Sequence, residues 1–394
     1  MLTHRQLFLN YLAQTSDAPQ MLEIAKAEGI YIYDIDGKAY IDLISGISVS
    51  NTGHRHPKVV EAIKEQLDKY MHVMVYGEFI QSPQVLLAEK ISSLLPSKLS
   101  SVYLVNSGAE ATEGALKLAK RFTGRPQIVA FKNAYHGSTQ GALSVMGNEY
   151  FKQPYRPLLP GITFIDFNNI SQLNQITNKV ACVITEPIQS ESGVTVPDLY
   201  YMQELRKQCT KTGTLLILDE VQTGFGRTGK MFGFENFGIT PDIITFAKGL
   251  GGGMPIGAFV SSPEIMHTLT YNPVLGHITT FGGHPVSAAA ALASLDVIIN
   301  EKLVESVQVK SKLFRQYLVH PKIKSVSGTG LFFAVELSDF NQIKRFIKLA
   351  SNNRIITDWF LFADNKFRIA PPLIITEQEI KKACSIILKV LDEL

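Results

Sequence analysis

A lysine follows one predicted strand of this chain, and a carboxylate ends another. The apolar run 243–246 is typical of a buried strand, and Lys248 comes shortly after it, at the start of a glycine-rich segment. Glycines at such a place let the backbone come close to a ligand. A second apolar run, 214–219, ends in Asp219. The sequence therefore places an amine and a carboxylate at two strand ends.

This pair of groups suits the chemistry of pyridoxal phosphate (PLP). The aldehyde of that cofactor needs an amine, and its pyridine nitrogen needs an anion to remain protonated. Each residue also has an ordinary interpretation, because Lys248 could be a surface lysine and Asp219 a helix cap or a solvated loop carboxylate. The PLP hypothesis therefore requires further contacts elsewhere in the chain.

A phosphate site is the first of these contacts. Ser107, Gly108 and Ala109 lie between a predicted strand and a predicted helix. Free N–H groups at a helix start, a hydroxyl group and the helix dipole together bind phosphate. An ordinary helix cap by Ser107 explains the same residues equally well.

Contacts to an aromatic ring are the second requirement. Tyr135, followed by His136, comes after the predicted strand 128–131 and could stack on a heteroaromatic ring. Val221 could pack on the opposite ring face, and Gln222 could donate a hydrogen bond to a ring oxygen. Taken singly, each of these is a weak signal.

Two other ligand classes are disfavoured. The segment 249–253 is glycine-rich, but neither the G-x-G-x-x-G fingerprint nor the phosphate loop of nucleotide-binding proteins is present. His54 and His56 lie two residues apart beside a proline and could suggest a metal. No further ligands follow at usable spacing, so we interpret them as part of a loop and helix start and predict no metal site.

From about residue 101, predicted strands alternate with helices. This alternation predicts an α/β fold, with a large, doubly wound, mostly parallel sheet and helices on both faces. Ligands bind such sheets beyond the carboxyl ends of the strands. The predicted strands are 102–105, 128–131, 163–166, 181–186, 214–219 and 242–246.

The 394-residue length predicts more than one domain. We expect residues 51–300 to form the large ligand-binding domain and residues 301–394 a small α+β domain. The N-terminal segment 1–50, which contains a predicted hairpin, would join the small domain.

Composition narrows the partners and the compartment. The formal net charge of +3 is small for this length and no basic run occurs, so we expect neither nucleic acid nor a membrane as partner. Three widely spaced cysteines fit reduced thiols. The N-terminus lacks the pattern of a signal peptide. We expect a cytoplasmic protein.

Taken in order, the motifs resemble the class III (subgroup II) PLP-dependent aminotransferases of fold type I, most closely the acetylornithine and ornithine aminotransferase branch. The resemblance extends from Gly29 to the C-terminal helix. It rests on NSGAEA (106–111), YHG (135–137), TEPIQ (185–189), LDEVQTGFGRTG (218–229), FAKGLGGGMPIGA (246–258), TTFGGHP (279–285) and FRIAPPL (367–373).

The resemblance implies a role for each candidate around the cofactor. Lys248 would bind the PLP aldehyde covalently and then act as the base that moves a proton. Asp219 would keep the pyridine nitrogen protonated, and Gln222 would contact the ring oxygen. The remaining cofactor contacts would be Ser107, Gly108 and Ala109 at the phosphate and Tyr135, His136 and Val221 at the ring.

The resemblance also implies substrate and subunit contacts. Arg368 would bind a substrate carboxylate, and Glu191 would pair with Arg368 for one substrate and release it for the other. Thr280 would reach the cofactor phosphate of a neighbouring subunit. A homodimer with active sites at its interface would then be required for activity.

Two positions bear on the choice of substrate. Many members of the family carry an arginine after the aromatic-His-Gly element, where this chain has Ser138. Serine cannot make the bidentate charged contact that arginine makes with a second carboxylate. Ile47 matches the acetylornithine and GABA branches, whereas ornithine aminotransferases tend to have tyrosine at this position.

The function that we predict is amino transfer by a ping-pong mechanism. The donor would be the terminal amine of ornithine, N-acetylornithine or a similar ω-amino compound, and the acceptor 2-oxoglutarate. Another ω-aminotransferase of the GABA, diamine or β-alanine type is the alternative. An isomerase or a decarboxylase on the same PLP scaffold is the more distant one.

Overall fold

Three β-sheets and the helices around them make up the part of the chain that this computed structural model describes, residues 2–75 and 77–394. The strands are β1 (Ile24–Glu28), β2 (Tyr31–Asp34), β3 (Ala39–Asp42), β4 (Ser101–Val105), β5 (Gln127–Phe131), β6 (Ile162–Ile165), β7 (Val180–Thr185), β8 (Leu215–Asp219), β9 (Ile243–Phe246), β10 (Gly257–Ser261), β11 (Ser325–Thr329), β12 (Phe332–Glu336), β13 (Ile355–Ile356), β14 (Trp359–Phe360) and β15 (Ala363–Ile369).

The central sheet has seven strands in the order β4-β10-β9-β8-β7-β5-β6. Strands β7, β8 and β9 are buried along their whole length, as expected for strands covered on both faces. All six strands predicted for this region occur within one residue of their predicted limits at either end. The predicted α/β fold with a large, mostly parallel sheet is confirmed.

Strand β10 is the exception to the parallel order, and sequence analysis did not predict it. It pairs antiparallel with both β4 and β9. Because two antiparallel steps restore the original direction, β4 runs the same way as β9 and the other parallel strands. The residues that follow β4, β5, β7, β8 and β9 therefore meet at one edge of the sheet.

Eight helices of three turns or more lie among the described residues. Glycine in the left-handed conformation ends two of them, at Gly124 and Gly213, where any other residue would be strained. The longer helices are Pro57–Lys69, Ser82–Ser93, Gly108–Thr123, Leu199–Thr212, Pro285–Asn300, Leu303–Tyr317, Phe340–Asn352 and Glu377–Asp392. No helix among the described residues is both long and apolar enough to cross a bilayer.

Two four-stranded sheets flank the central one. One has the order β11-β12-β15-β14 and lies wholly in the C-terminal part. The other has the order β1-β2-β3-β13, in which β3 pairs in parallel with β13, more than 300 residues further along the chain. The N-terminal hairpin thus pairs with a C-terminal strand, while the domain limits themselves stay a prediction.

A buried arginine joins distant segments of the fold. The side chain of Arg227 is fully buried, and its Nη1 donates to the carbonyls of Leu331 and Pro371 at 2.9 and 2.5 Å. Its Nη2 donates to Oδ1 of Asn51 at 2.5 Å. Burial lowers the pKa of Arg227 to about 9, an effect that the charge of Asp42 opposes. The Arg227 guanidinium therefore links segments from the beginning, middle and end of the chain by hydrogen bonds.

Candidate active site

A cavity of about 500 Å³ opens at the carboxyl edge of the central sheet. Most of the residues predicted for the site line it: Ser107, Gly108, Ala109, Tyr135, His136, Ser138, Asp219, Val221, Gln222 and Lys248. They lie at the ends of β4, β5, β8 and β9, and the first and last of them are more than 140 residues apart in the sequence. The topology of the sheet is what brings them together.

Four predicted residues do not line this cavity. Glu191 and Arg368 are buried beside it and are close enough to Lys248 to shift the pKa of its amine in opposite directions. Ile47 lies in a left-handed turn, and Thr280 is exposed. Thr280 therefore does not contribute to this cavity within one chain.

Lys248 is held in a constrained position. It has a φ of +45°, which is uncommon for a residue with a side chain and costs of order 1 kcal/mol. Its Nζ donates to Oε1 of Gln222 at 3.1 Å. The neighbouring Gly249 is required, because a Cβ there would lie 2.6 Å from Nδ2 of Asn51. Burial lowers the pKa of Lys248, which favours the neutral, nucleophilic amine.

Asp219 faces the cavity and is oriented by a histidine. Its Oδ2 lies 2.7 Å from Nδ1 of His136, and its Oδ1 accepts a hydrogen bond from the backbone N–H of Val221 at 3.0 Å. Because an ionised carboxylate only accepts, Nδ1 of His136 is the donor. The sequence placed His136 at the cofactor, and the pairing with Asp219 was not predicted.

The adjacent carboxylate, Glu220, has a different role. It points away from the cavity and accepts hydrogen bonds from the backbone N–H groups of Gly233 and Phe234 at 2.8 and 2.7 Å. Burial raises its pKa to about 7. At the end of β8, Asp219 therefore faces the cavity, whereas Glu220 binds the backbone of a neighbouring loop.

The turn after β4 forms a cup of backbone N–H groups. Ser107 caps the helix Gly108–Thr123, and its Oγ accepts from the N–H of Glu110 at 3.2 Å. A Cβ at Gly108 would come within 2.9 Å of Cγ1 of Val221, so only glycine allows this approach. Both interpretations of Ser107 therefore apply, because it caps the helix and also lines the cavity.

Glu186 is a cavity residue to which sequence analysis gave no role, although it lies within the TEPIQ motif. Its Oε1 accepts from the N–H of Tyr135 at 3.2 Å, and its Oε2 accepts from the N–H of Ser190 at 2.9 Å and from the Ser190 hydroxyl. Burial raises the pKa of Glu186 from 4.5 to about 7, partly offset by His136.

Replacing Glu186 with glutamine should change how stability depends on pH. The folded protein holds the Glu186 proton up to about pH 7, whereas the unfolded chain loses it near 4.5. The folded state binds more protons in that window, so wild type loses stability there as pH rises. We expect E186Q to gain roughly 2–3 kcal/mol relative to wild type between about pH 5 and about pH 8.

Urea unfolding of both cofactor-free proteins at the two pH values measures this difference. Wild type and E186Q differing equally at both values would contradict the assignment. The E220Q variant, with the same pKa shift in a different environment, serves for comparison.

Arg368 is bound by two carboxylates. Its Nη2 donates to both oxygens of Glu191 at 2.9 and 3.1 Å, and its Nε donates to Oδ1 of Asp358 at 3.0 Å. The guanidinium also lies 4.3 Å from the ring centre of Phe360. Burial alone would lower the pKa of Arg368, but Glu191 and Asp358 together raise it. The sequence predicted Glu191 as a partner and gave no sign of Asp358.

Ile47 lies in a run of left-handed residues, 45–48, each with a φ between +51° and +63°. A β-branched residue is a genuine outlier in this conformation. Ser45 fastens the turn, since its Oγ donates to the carbonyl of Ala370, two residues after Arg368. The turn thus carries Ile47 near the strand that holds Arg368.

The residues present fit PLP. Nε2 of Gln222 is buried without a partner among the described residues, while Oε1 of the same amide faces the Lys248 amine, so a donor remains for a ring oxygen. The N–H cup at Gly108 fits a phosphate. Asp219 is the anion that a pyridinium requires. A sheet edge with these groups defines a PLP-dependent enzyme of fold type I.

Comparisons with known proteins agree with this assignment. The family described as aminotransferase class-III matches residues 11–391, and the chain belongs to that family. It is a PLP-dependent aminotransferase.

Individual relatives span nearly the full chain. It is 40% identical to the acetylornithine aminotransferase of Archaeoglobus fulgidus, over 94% of this chain and 95% of that protein. It is 36% identical to a LysW-aminoadipate semialdehyde/glutamate semialdehyde transaminase of Sulfurisphaera tokodaii, over 92% of each. The crystal structure of Toxoplasma gondii ornithine aminotransferase superimposes with a TM-score of 0.92 at 29% identity, covering 100% of this chain and 96% of that one.

Proposed function

We propose that this aminotransferase moves the terminal amino group of an ω-amino compound, such as ornithine or N-acetylornithine, to 2-oxoglutarate by a ping-pong mechanism. The names of the relatives support this donor class. The observation that carries the proposal is the buried pair of Arg368 and Glu191 beside Lys248. It offers a carboxylate site that can be closed or opened.

The chain's own residues hold the cofactor in defined ways. When bound, PLP supplies an aldehyde and an electron-withdrawing ring. The N–H groups around Gly108 would hold the phosphate, and Tyr135 and Val221 would contact the ring. Asp219, oriented by His136, would keep a proton on the pyridine nitrogen, because a carboxylate stabilises an adjacent cation.

Lys248 has two successive tasks. Its Nζ would hold the cofactor aldehyde, and as a free amine it would take a proton from the carbon that bears the reacting amine. Burial lowers the pKa of Lys248, which favours the neutral amine that can accept that proton. Gln222 holds Nζ in reach at 3.1 Å.

Glu191 and Arg368 allow one cavity to accept both substrates in turn. With Glu191 in place, Nη2 of Arg368 is occupied and the site takes the amino donor. When Glu191 moves away, Arg368 can bind the α-carboxylate of 2-oxoglutarate as a bidentate partner. This exchange is what a ping-pong cycle needs, since both substrates use the same cavity.

Ser138 keeps a second donor class open. It lies exposed at the cavity wall, and its Oγ is 3.3 Å from the hydroxyl of Tyr135. Among the described residues that line the cavity, Lys248 is the sole lysine or arginine. A wall without a second cation favours a diamine donor, which stands with the GABA and β-alanine types as the alternative function.

We also propose a homodimer. An apolar face, consisting of Met71, Phe79, Ile80, Val274 and Phe281, is exposed in the single chain, with Ile80 94% exposed. Its two segments meet, since the rings of His72 and Phe281 are 4.8 Å apart. Thr280 lies on this face, where it would reach the cofactor phosphate of a second copy. Such a patch is typical of a subunit interface, and a monomer in sedimentation equilibrium would contradict the proposal.

We infer a cytoplasmic enzyme with two domains. The large domain would comprise residues 51–300, and the small domain would comprise residues 301–394 together with the N-terminal segment 1–50. Cys182, Cys209 and Cys384 are buried, free thiols, which suits a reducing compartment. The C-terminal sheet supports a separate small domain from about residue 301, and the pairing of β3 with β13 supports joining the N-terminal segment to it.

A half-reaction screen tests the donor. PLP-loaded protein is mixed with ornithine, N-acetylornithine, GABA, lysine, putrescine or β-alanine without a keto acid, and the change of the cofactor from its pyridoxal to its pyridoxamine form is followed by absorbance. We expect ornithine or N-acetylornithine to react fastest. Conversion by other amines alone would move the enzyme to another ω-aminotransferase branch, and 2-oxoglutarate should reverse the change.

A further inference from the structure

Glu191 lies in a tight loop after β7, residues 189–195, which we name the Glu191 loop. The two end residues of this loop exchange two backbone hydrogen bonds, at 3.1 and 2.9 Å, which close it at its base. Within the loop, the carbonyl of Ser190 accepts from the N–H of Val194 at 3.1 Å. Glu191 therefore lies in a turn whose position depends on where Ser190 is held.

The Glu191 loop is strained at Val194. This residue is fully buried and has a φ of +54°, a conformation in which a β-branched residue is a genuine outlier. Such a conformation persists only where the surrounding contacts hold it. The loop therefore depends on attachments to neighbouring segments, and its release would relieve the strain.

Glu191 attaches this loop to the hairpin of β14 and β15. Its Oε2 accepts from the N–H of Leu361 at 3.1 Å, and its carbonyl accepts from the N–H of Phe362 at 3.0 Å. Both N–H groups lie in the turn between the two strands, and Arg368 lies in β15. When the Glu191 side chain leaves Arg368, the attachment to Leu361 is lost with the ion pair.

Ser190 attaches the same loop on the cavity side. Its N–H and its hydroxyl both donate to Oε2 of Glu186, whose Oε1 accepts from the N–H of Tyr135 at 3.2 Å. Ser190 and Glu186 are 2% and 3% exposed, and both line the cavity. A backbone N–H is available from every residue except proline, whereas the second bond needs a side-chain donor. The serine hydroxyl therefore adds an attachment that the backbone does not provide.

We propose that Ser190 is a positioning residue, whose hydroxyl holds the Glu191 loop in the arrangement that keeps Glu191 on Arg368. Without the hydroxyl, the strain at Val194 is opposed by fewer contacts, and the open arrangement becomes more frequent. A keto acid that needs a free Arg368 then binds more tightly, because less of its binding energy is used to open the site. The inference rests on the proposed function, since it concerns the exchange of Glu191 for the carboxylate of 2-oxoglutarate.

Binding of 2-oxoglutarate to the PLP-loaded protein tests the proposal. The keto acid has no amine to transfer, so isothermal titration calorimetry measures its binding to this form without turnover. At pH 8, above the pKa of about 7 to which burial raises Glu186, the carboxylate only accepts and the Ser190 hydroxyl is the donor. We expect the Kd in Ser190→Ala to be about fivefold lower than in wild type.

Hydrogen exchange in the turn of the β14–β15 hairpin is a second readout. Glu191 protects the N–H groups of Leu361 and Phe362 while the loop is closed. We expect both amides to exchange about fivefold faster in ligand-free Ser190→Ala than in wild type, since exchange follows the population of the open arrangement. A role for Ser190 in local packing alone would leave these two amides unchanged.

Ser192 provides the matched control. Its Oγ lies 3.2 Å from the carbonyl oxygen of Gln189 and 2.8 Å from Oγ1 of Thr195, so these contacts stay within the loop. Ser192→Ala should leave the Kd and the exchange rates within about twofold of wild type. Ser190→Thr retains the hydroxyl and should also behave as wild type does. Should Ser190→Ala not fold, Ser190→Cys, whose thiol is only a weak donor, should shift the Kd in the same direction.

Glu191→Ala separates this inference from the function on which it rests. It frees Arg368 directly, so we expect the Kd of 2-oxoglutarate to fall by at least about tenfold. A fall in Glu191→Ala with no change on removal of the Ser190 hydroxyl would overturn the role of Ser190 and leave the proposed function standing. An unchanged Kd in Glu191→Ala would reject the exchange at Arg368, and with it the proposed function.

Discussion

Replacing Lys248 with alanine is expected to reduce the rate of amino transfer by at least about 10³-fold, since one substitution removes both the covalent anchor and the proton-transfer base. The amine cannot be replaced from within the cavity, because Lys248 is the sole lysine or arginine among the described residues that line it. Single-turnover absorbance with the best donor measures the rate. The protein should still fold, because alanine has the same Cβ as lysine at this left-handed position and the atoms removed come from the cavity rather than from the apolar core.

Two controls distinguish chemistry from damage. Lys230→Ala, at an exposed lysine, should react as wild type does. Small primary amines added to the Lys248→Ala protein should restore part of the rate, because they supply the missing base at the same carbon. Undiminished turnover by Lys248→Ala without added amine would disprove the mechanism.

Asp219→Asn is expected to lower the single-turnover rate by about 10²- to 10³-fold, a loss comparable to that of one preorganised electrostatic contact. An amide cannot hold a proton on the pyridine nitrogen as an ionised carboxylate does. In wild type, His136 and Val221 both donate a hydrogen bond to Asp219. Asparagine has one acceptor oxygen, so its N–H₂ group would face one of these two donors. The absorbance of the bound cofactor should change with the rate.

Glu220→Gln is the matched comparison for Asp219→Asn. Glu220 is the next residue, is fully buried and accepts backbone hydrogen bonds, but it faces away from the cavity. Its replacement should alter the unfolding free energy and leave the cofactor spectrum unchanged. Asp219→Glu, which restores the charge at a longer reach, should recover part of the rate. A fully active Asp219→Asn protein would reject the assigned role.

The parts of the site that sequence predicts are those determined locally. A lysine or an aspartate at the end of an apolar run remains at the end of a strand whatever the rest of the fold does, and parallel strands bring such ends together. This is why the amino-acid pattern alone predicts that Lys248, Asp219 and Ser107 lie at one edge of the sheet. Strand β10 was missed, because Gly257–Ser261 is short and follows a glycine- and proline-rich segment that is typical of a loop.

The parts that sequence did not predict depend on contacts between distant residues. The bond from His136 to Asp219 joins residues 83 positions apart, and that from Arg368 to Asp358 depends on the pairing of a two-residue strand. Such partners follow from hairpin register and side-chain direction, which no local pattern encodes. The left-handed conformation of Ile47 was not predicted either, because β-branched residues favour extended strands.

The parallel pairing of β3 with β13 has a consequence for synthesis on the ribosome. The N-terminal hairpin emerges early, but the strand that completes its sheet lies at Ile355–Ile356. Until that segment is released, the outer edge of β3 presents unpaired N–H and C=O groups, which are a template for wrong pairing between nascent chains. Slowing elongation before residue 355 prolongs the time for which this edge is unpaired, and should therefore lower the soluble yield.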